Sequence, residues 1–185
     1  MQILILDGFP TGQSPVHRPL AGALSGHQLQ HIKLSGEDIP WCKGCFHCWL
    51  ITPGECVIGG VGNELAREYI NSDLVILLSP VVFGSYSSEL KKVLDRMIPN
   101  MSGLLTRRGG DTRHVRRYHR HPSLLVLGWQ DQEDARQQEI YLDLAYRNKL
   151  NLMPPSFASG VMCGKDEEEI SRQLAAIMEE VGVGK

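Results

Sequence analysis

The stretch SDLVILLSPVVFGSYSSELKKVLDRM, Ser72–Met97, decides the fold. Leu74-Val75-Ile76-Leu77-Leu78 is apolar at every position rather than at alternate ones. That is the pattern of a strand covered on both faces, as in a parallel sheet. After Ser79-Pro80 the period changes. Leu90, Val93, Leu94, Met97 and Ile98 fall at i, i+3, i+4, i+7 and i+8, the single apolar stripe of a helix. Ser87 or Ser88 can cap that helix, Glu89 stands in its first turn, and Pro99 stops it. The loop Pro80 to Tyr86 therefore lies at the carboxyl end of a central strand, the edge where open α/β sheets bind ligands.

The same alternation extends in both directions. Ile3 to Leu6 reads as a buried strand ended by Asp7-Gly8-Phe9-Pro10, followed by a loop from Thr11 to Pro19 and a short helix, Leu20 to Leu24. Leu29, Ile32 and Leu34 suggest a second strand, and a helix follows from about Asn63. Residues 99 to 121 read as a long polar connection. Leu124 to Leu127 is a fourth strand ending at Gly128-Trp129, then a helix runs from about Gln132 to Arg147. Phe157 to Met162 makes a fifth strand, and a last helix begins at Asp166. Five strands separated by four helices predict a doubly wound parallel sheet, because right-handed crossovers leave few other solutions. With no repeat, low-complexity tract or linker, residues 1–185 are expected to form one domain.

Composition excludes several classes. A formal net charge of −2 over 185 residues argues against nucleic-acid binding. No apolar run approaches a membrane span, so a cytoplasmic protein with no membrane partner is expected. Four of the five cysteines fall between Cys42 and Cys56, with Cys163 apart, which in a reducing compartment suggests metal, cluster or redox chemistry.

The cysteine loop reads Cys42-x2-Cys45-x2-Cys48-x7-Cys56. Three thiolates at three-residue intervals can wrap one small cluster, as compact bacterial iron–sulfur runs do. Zinc would also accept four thiolates, although its sites more often pair two separated knuckles, and free thiols packed in a loop are the plain alternative. The loop after the first strand offers Pro10, Thr11, Gly12, Gln13, Ser14 and His17 as a phosphate cradle, though Pro10, Pro15 and Pro19 each remove an N–H. The loop Pro80, Val81, Val82, Phe83, Gly84 and Ser85 can lie against a planar ring, with Phe83 equally readable as a core residue. Gly128 and Trp129, at the next strand end, would face the same crevice. Arg107, Arg108, Arg113, Arg116, Arg117 and Arg120 concentrate in one connection, readable as nucleotide-phosphate ligands, a solvated lid or a subunit-docking arm.

Three blocks carry a family resemblance: IPWCKGCFHCW with GECVI (Ile39 to Ile58), the Ser72–Met97 stretch, and DTRHVRRYHRHPSLLVLG (Asp111 to Gly128). Together they resemble the flavodoxin-like NADPH-dependent FMN reductase family, in the branch that includes iron–sulfur flavoproteins. The resemblance implies a flavodoxin-like three-layer α/β/α sandwich with a five-stranded parallel sheet of order 2-1-3-4-5. It implies FMN at the carboxyl edge, with the phosphate around Pro10 to Ser14 and His17, the ring at Pro80 to Ser85, and Gly128-Trp129 closing the far side. It further implies NAD(P)H as donor, a quinone, flavin or redox protein as acceptor, and a homodimer or homotetramer. A [4Fe-4S] cluster would take Cys42, Cys45, Cys48 and Cys56. The implied activity is an FMN-dependent NAD(P)H oxidoreductase in which no side chain need act as acid or base. An electron-transfer iron–sulfur flavoprotein without NAD(P)H turnover, or a cofactor-free module on the same scaffold, are the alternatives. Departures from the family pattern are the proline-rich first loop with its short helix, Val82 where Tyr is usual, and Gly59-Gly60 in place of an acidic pair.

Overall fold

The computed structural model describes residues 1–10 and 14–180. Its sheet contains β1 (Gln2–Asp7), β2 (Gln28–Lys33), β3 (Leu74–Pro80), β6 (Ser123–Gln130) and β7 (Phe157–Cys163), in the order β2-β1-β3-β6-β7. Every pairing in it is parallel. In the chain order of the sheet strands this is the expected 2-1-3-4-5. The central strands bury both faces, so alternate residues feed two cores.

One core packs Leu4, Leu6, Val75, Leu77, Leu124 and Val126 against α3 (Val61–Asn71), α4 (Ser88–Arg96) and α5 (Ala135–Leu152). The other packs Ile3, Ile5, Leu74, Ile76, Leu125 and Leu127 against α1 (His17–Ala23) and α6 (Glu167–Glu179). Each such aliphatic side chain, fully buried, contributes roughly 1.5–3 kcal/mol. Helix starts follow the chemistry read from the sequence. The Ser87 hydroxyl accepts from the Leu90 N–H at 3.3 Å, and the carboxylates of Asp134 and Asp166 accept from Gln137 and Glu169.

The connection at 99 to 121 differs from expectation. After a 3₁₀ turn, β4 (Met101–Arg108) and β5 (Asp111–Arg116) form an antiparallel hairpin apart from the main sheet. Gly109 and Gly110 both take positive φ, 60° and 89°, as a two-residue hairpin turn requires. The strands bury neither face, and Leu104 and Leu105 stand exposed on opposite faces, which hid the hairpin from hydrophobic periodicity. They are anchored by few contacts: Trp49 lies over Gly103, and the Arg117 guanidinium donates to the Met101 carbonyl at 3.1 Å. Among the described residues, no helix is long and apolar enough to cross a membrane.

His121, just before β6, is 7% exposed, and its Nδ1 lies 2.9 Å from the Leu152 carbonyl. Burial lowers its pKa; the Leu152 carbonyl opposes this and the Arg116 charge reinforces it. The unfolded chain therefore binds a proton that the folded chain refuses, and stability present at pH 7.5 is lost as pH falls below about 6.5. Urea denaturation between about pH 7.5 and pH 5 should show this slope, and His121→Gln should make it shallower; an unchanged slope would contradict the assignment.

Candidate functional site

Three loops meet at the carboxyl edge of the sheet. Gly8 donates its N–H to the Leu78 carbonyl at 2.8 Å and lies close against α4. A Cβ at Gly8 would stand 2.5 Å from Ser87 Oγ and 2.7 Å from Leu90 Cβ, so only glycine lets the first loop approach the amino end of that helix. Between them opens a crevice of about 610 Å³ lined by Gly8, Pro10, Pro80, Val82, Ser87 and Lys92, among others. Glu37 and Glu89 also border it, and Lys92 pairs with Glu89 at 2.7 Å.

The loop after β3 is a tight, well-braced turn. The N–H groups of Val82 and Ser85 donate to each other's carbonyls at 2.9 Å, and Gly84 donates to Gln137 Oε1 at 3.2 Å. This turn forces Phe83 into the left-handed region at φ 51° and leaves its ring 93% exposed. The alternative of Phe83 as a core residue is therefore set aside. A large aromatic is thus held outward at a φ that bulky side chains rarely adopt.

Other expected positions lie differently. Ser14 is buried and its hydroxyl accepts from the Val16 N–H at 3.1 Å, closing the loop on itself. Thr11, Gly12 and Gln13 lie outside the described residues. Val81 donates to the Trp129 carbonyl at 2.9 Å and packs in the core. Gly128 is covered by Tyr141, Val161 and Val81, at 2.9 to 3.0 Å from where a Cβ would be. Trp129 points to the opposite face from Gly128, donates its indole N–H to the Gly164 carbonyl at 2.8 Å and packs on Phe9. The structure thus brings Pro10, Pro80 and Val82 into one crevice and directs Ser14, Gly128 and Trp129 into the framework.

His17 is engaged with a residue that the sequence reading passed over. Asp7, 1% exposed, accepts at Oδ2 from Nε2 of His17 at 2.6 Å and of His31 at 3.0 Å, and at Oδ1 from the Phe9 N–H at 3.0 Å. Burial alone would raise its pKa, but the hydrogen bonds from His31, Phe9 and His17 outweigh it and hold the carboxyl below its usual value. The signal available in the sequence was a carboxylate directly following the apolar run Ile3 to Leu6.

The cysteine loop is held at both ends by one side chain. Arg96, the last residue of α4 and 1% exposed, donates to the carbonyls of Pro40 at 3.3 Å and Gly59 at 2.9 Å, just outside Cys42 and Cys56. Gly62 is required beneath it, since a Cβ there would lie 2.7 Å from the guanidinium. The Asn63 amide grips Cys56, accepting from its N–H at 3.2 Å and donating to its carbonyl at 2.9 Å. Between these clamps, Gly44 and Phe46 turn the chain at positive φ into a short helix, α2 (His47–Leu50). Burial pushes up the pKa of the Cys48 thiol, and Cys56, Cys42 and Cys45 push it the same way, so the four thiols share one electrostatic neighbourhood. Their sulfurs are not among the metal-ligating groups gathered within 4.8 Å, whereas a zinc tetrathiolate would bring them to roughly 3.8 Å. The Nε of Arg96 is buried without a hydrogen-bond partner, so the cation that clamps the loop is not fully satisfied by the protein.

Residues 1–158 match the sequence model of the NADPH-dependent FMN reductase family. The chain belongs to that family. It is 37% identical over 75 residues to an iron–sulfur flavoprotein of Archaeoglobus fulgidus, covering 40% of this chain and 33% of the relative. It is 29% identical over 112 residues to an iron–sulfur flavoprotein of Methanocaldococcus jannaschii, covering 58% and 57%. The chain thus spans about one third to just over half the length of these relatives. In fold it is similar to the NAD(P)H:quinone oxidoreductase of Methanothermobacter marburgensis, with TM-score 0.68, 14% identity and coverage of 100% and 95%. An FMN-dependent NADH-azoreductase of Bacillus anthracis gives TM-score 0.66, 12% identity and coverage of 100% and 99%.

Within this member of the FMN reductase family, Arg96 is expected to fix the cysteine loop. Arg96→Met leaves two carbonyls unpaired at a cost of about 1–3 kcal/mol each. Arg96→Lys should fail to rescue it, because a single ammonium lacks the guanidinium's rigid fork. Alkylation of Cys48 in the native protein should accelerate in both variants; unchanged Cys48 reactivity would refute the clamp.

Proposed function

We propose that this chain is an FMN-dependent NAD(P)H oxidoreductase whose flavin lies across the carboxyl edge of the sheet. The observation that carries this reading is the crevice of about 610 Å³ at that edge, bordered by the outward-held Phe83 turn. Membership of the FMN reductase family supports it. The residues that fit FMN there are Gly8 and Pro10 of the first loop, Pro80, Val82, Phe83, Gly84 and Ser85 of the β3 loop, and Ser87 at the start of α4. When bound, flavin accepts hydride from NAD(P)H and passes electrons on to an acceptor such as a quinone, a flavin or a redox protein.

The chain's own contribution is positional. The backbone N–H groups of Val82 and Gly84 are already committed within the protein, which leaves the Phe83 ring and the crevice walls as the apolar binding surface. Lys92 offers a cation at the rim, tempered by Glu89. Among the described residues, the carboxyl groups at the crevice are those of Glu37 and Glu89, the latter paired with Lys92. Exposed Trp41, Phe46, Leu50, Leu104 and Leu105 on the cysteine loop and hairpin support a homodimer or homotetramer. A cytoplasmic location accords with the free, unpaired cysteines.

A second reading has its own support. The four mutually interacting thiols and the incompletely satisfied Arg96 favour a [4Fe-4S] cluster on Cys42, Cys45, Cys48 and Cys56, and with it an electron-relay role. Helix α4 begins at the crevice and ends at Arg96, and nine residues of helix rise roughly 13.5 Å. The two candidate redox centres would thus be joined by one rigid element.

Anaerobic purification with an absorption spectrum and iron assay separates the readings. Flavin bands bleached by NADPH or NADH support the oxidoreductase; a colourless protein that refuses added FMN refutes it. Phe83→Ala removes a ring that the fold does not use and should weaken FMN binding roughly tenfold, about 1.4 kcal/mol, without lowering stability. Cys45→Ser should lose iron while retaining FMN; full iron content in that variant would sink the cluster assignment.

A further inference from the structure

On the face of the sheet opposite the crevice, at the carboxyl end of β1, three side chains with metal-ligating atoms converge. Asp7 shares the face of Ile3 and Ile5 by strand alternation. His31 comes from the neighbouring edge strand, where its register partner is Ile5, and His17 opens α1 above them. Both imidazoles aim Nε2 at the same oxygen, Asp7 Oδ2, at 2.6 and 3.0 Å. All three ligand atoms lie within 4.8 Å of one another, and among the described residues no other group of three does so.

We propose that Asp7, His17 and His31 form a binding site for a divalent first-row transition-metal ion. The geometry is close to what ligation needs. Bonds of about 2.0–2.2 Å to imidazole nitrogen and carboxylate oxygen place adjacent ligand atoms roughly 3.0–3.4 Å apart, so the nitrogen–oxygen separations of 2.6 and 3.0 Å would open by less than about 1 Å around an ion. Two imidazoles with one carboxylate select zinc, iron(II), cobalt or their neighbours over magnesium and calcium, which prefer all-oxygen shells. Ligation needs both imidazoles neutral, which leaves the carboxylate as the single compensating charge and the loaded site at +1. Two ligands stand on paired strands and the third begins a helix, so the set is carried by rigid elements. The His31 side chain is 34% exposed and gives the ion a route in. Three protein ligands leave at least one position open to water or to a substrate oxygen.

Oδ1 accepts from the Phe9 N–H, and both imidazoles converge on Oδ2, which has a lone pair for each. The second imidazole reaches the same oxygen from another strand, where an ion could replace both N–H donors at once. This inference does not depend on where the flavin binds.

Cobalt(II) is the probe, because its spectrum reports the donor atoms and separates this site from the cysteine loop. Wild-type protein and His31→Ala are titrated anaerobically with cobalt(II), and their difference spectrum is taken. The expected difference is a one-equivalent set of weak visible d–d bands without the intense near-ultraviolet thiolate charge transfer, with affinity at least tenfold weaker in the variant. His31→Gln, which keeps a donor for Asp7 but is a poor ligand, should behave like His31→Ala while matching wild type in urea stability. Absence of cobalt uptake, a null difference spectrum, or a difference carrying thiolate bands would each overturn the proposal.

Discussion

The constraint on which the rest of this structure depends is the burial of the Arg96 guanidinium with only carbonyl partners. A charge taken out of water is costly unless its surroundings supply opposing dipoles. Arg96 meets that cost in three ways. It ends α4, where the helix dipole favours a cation. It receives the carbonyls of Pro40 and Gly59, drawn from both ends of the cysteine loop. It also lies against the bare backbone of Gly62, where a side chain would collide with it. The helix that shapes the crevice at its amino end, through Ser87 and Gly8, is therefore the helix that fixes the cysteine loop at its carboxyl end.

That economy explains why the Ser72–Met97 stretch was so informative. Its strand is buried on both faces, its helix buries one stripe, and its last polar residue is inside the protein. Each demand leaves a mark on residue type: a continuous apolar run, a 3.6-residue period, and an Asp-Arg pair ending the helix. The same reasoning made β1, β6 and β7 legible, since parallel strands under two helical layers have little choice of composition. The hairpin of Met101–Arg108 and Asp111–Arg116 left no such mark. It buries neither face deeply, so its strands carry arginine and threonine at positions where periodicity says nothing. Its one legible feature is the pair Gly109-Gly110, because a two-residue turn needs positive φ at both positions.

The candidate site was legible to the degree that it is built from loops following buried strands. Pro80, Val82 and Phe83 could be placed at the ligand edge because the strand before them was certain, and Pro10 followed from β1. Trp129 and Gly128 were one alternation away from their places. The strand continues past the expected end, so the residues point to the two cores rather than into the crevice. Asp7 and His31 escaped notice for another reason. They lie 24 residues apart, and their convergence depends on β2 pairing beside β1, a fact of sheet order rather than of either segment.

The position of Asp7 sets a physical condition on the first loop. Doubly wound folds place a ligand's phosphate at the carboxyl end of the first strand, where backbone N–H groups and a helix amino end favour anions. Here that strand ends in a buried carboxylate, held ionised, and the proline at position 10 removes one donor. A phosphate brought near an uncompensated carboxylate in a low-dielectric setting is repelled by several kcal/mol. His17 and His31 are therefore more than decoration on Asp7: whatever cation they contribute or hold determines the sign of the field at the loop. A proton on either imidazole cancels the carboxylate, and a divalent ion reverses it. The charge state of this three-residue cluster thus sets the field felt by any anion brought to the carboxyl end of β1.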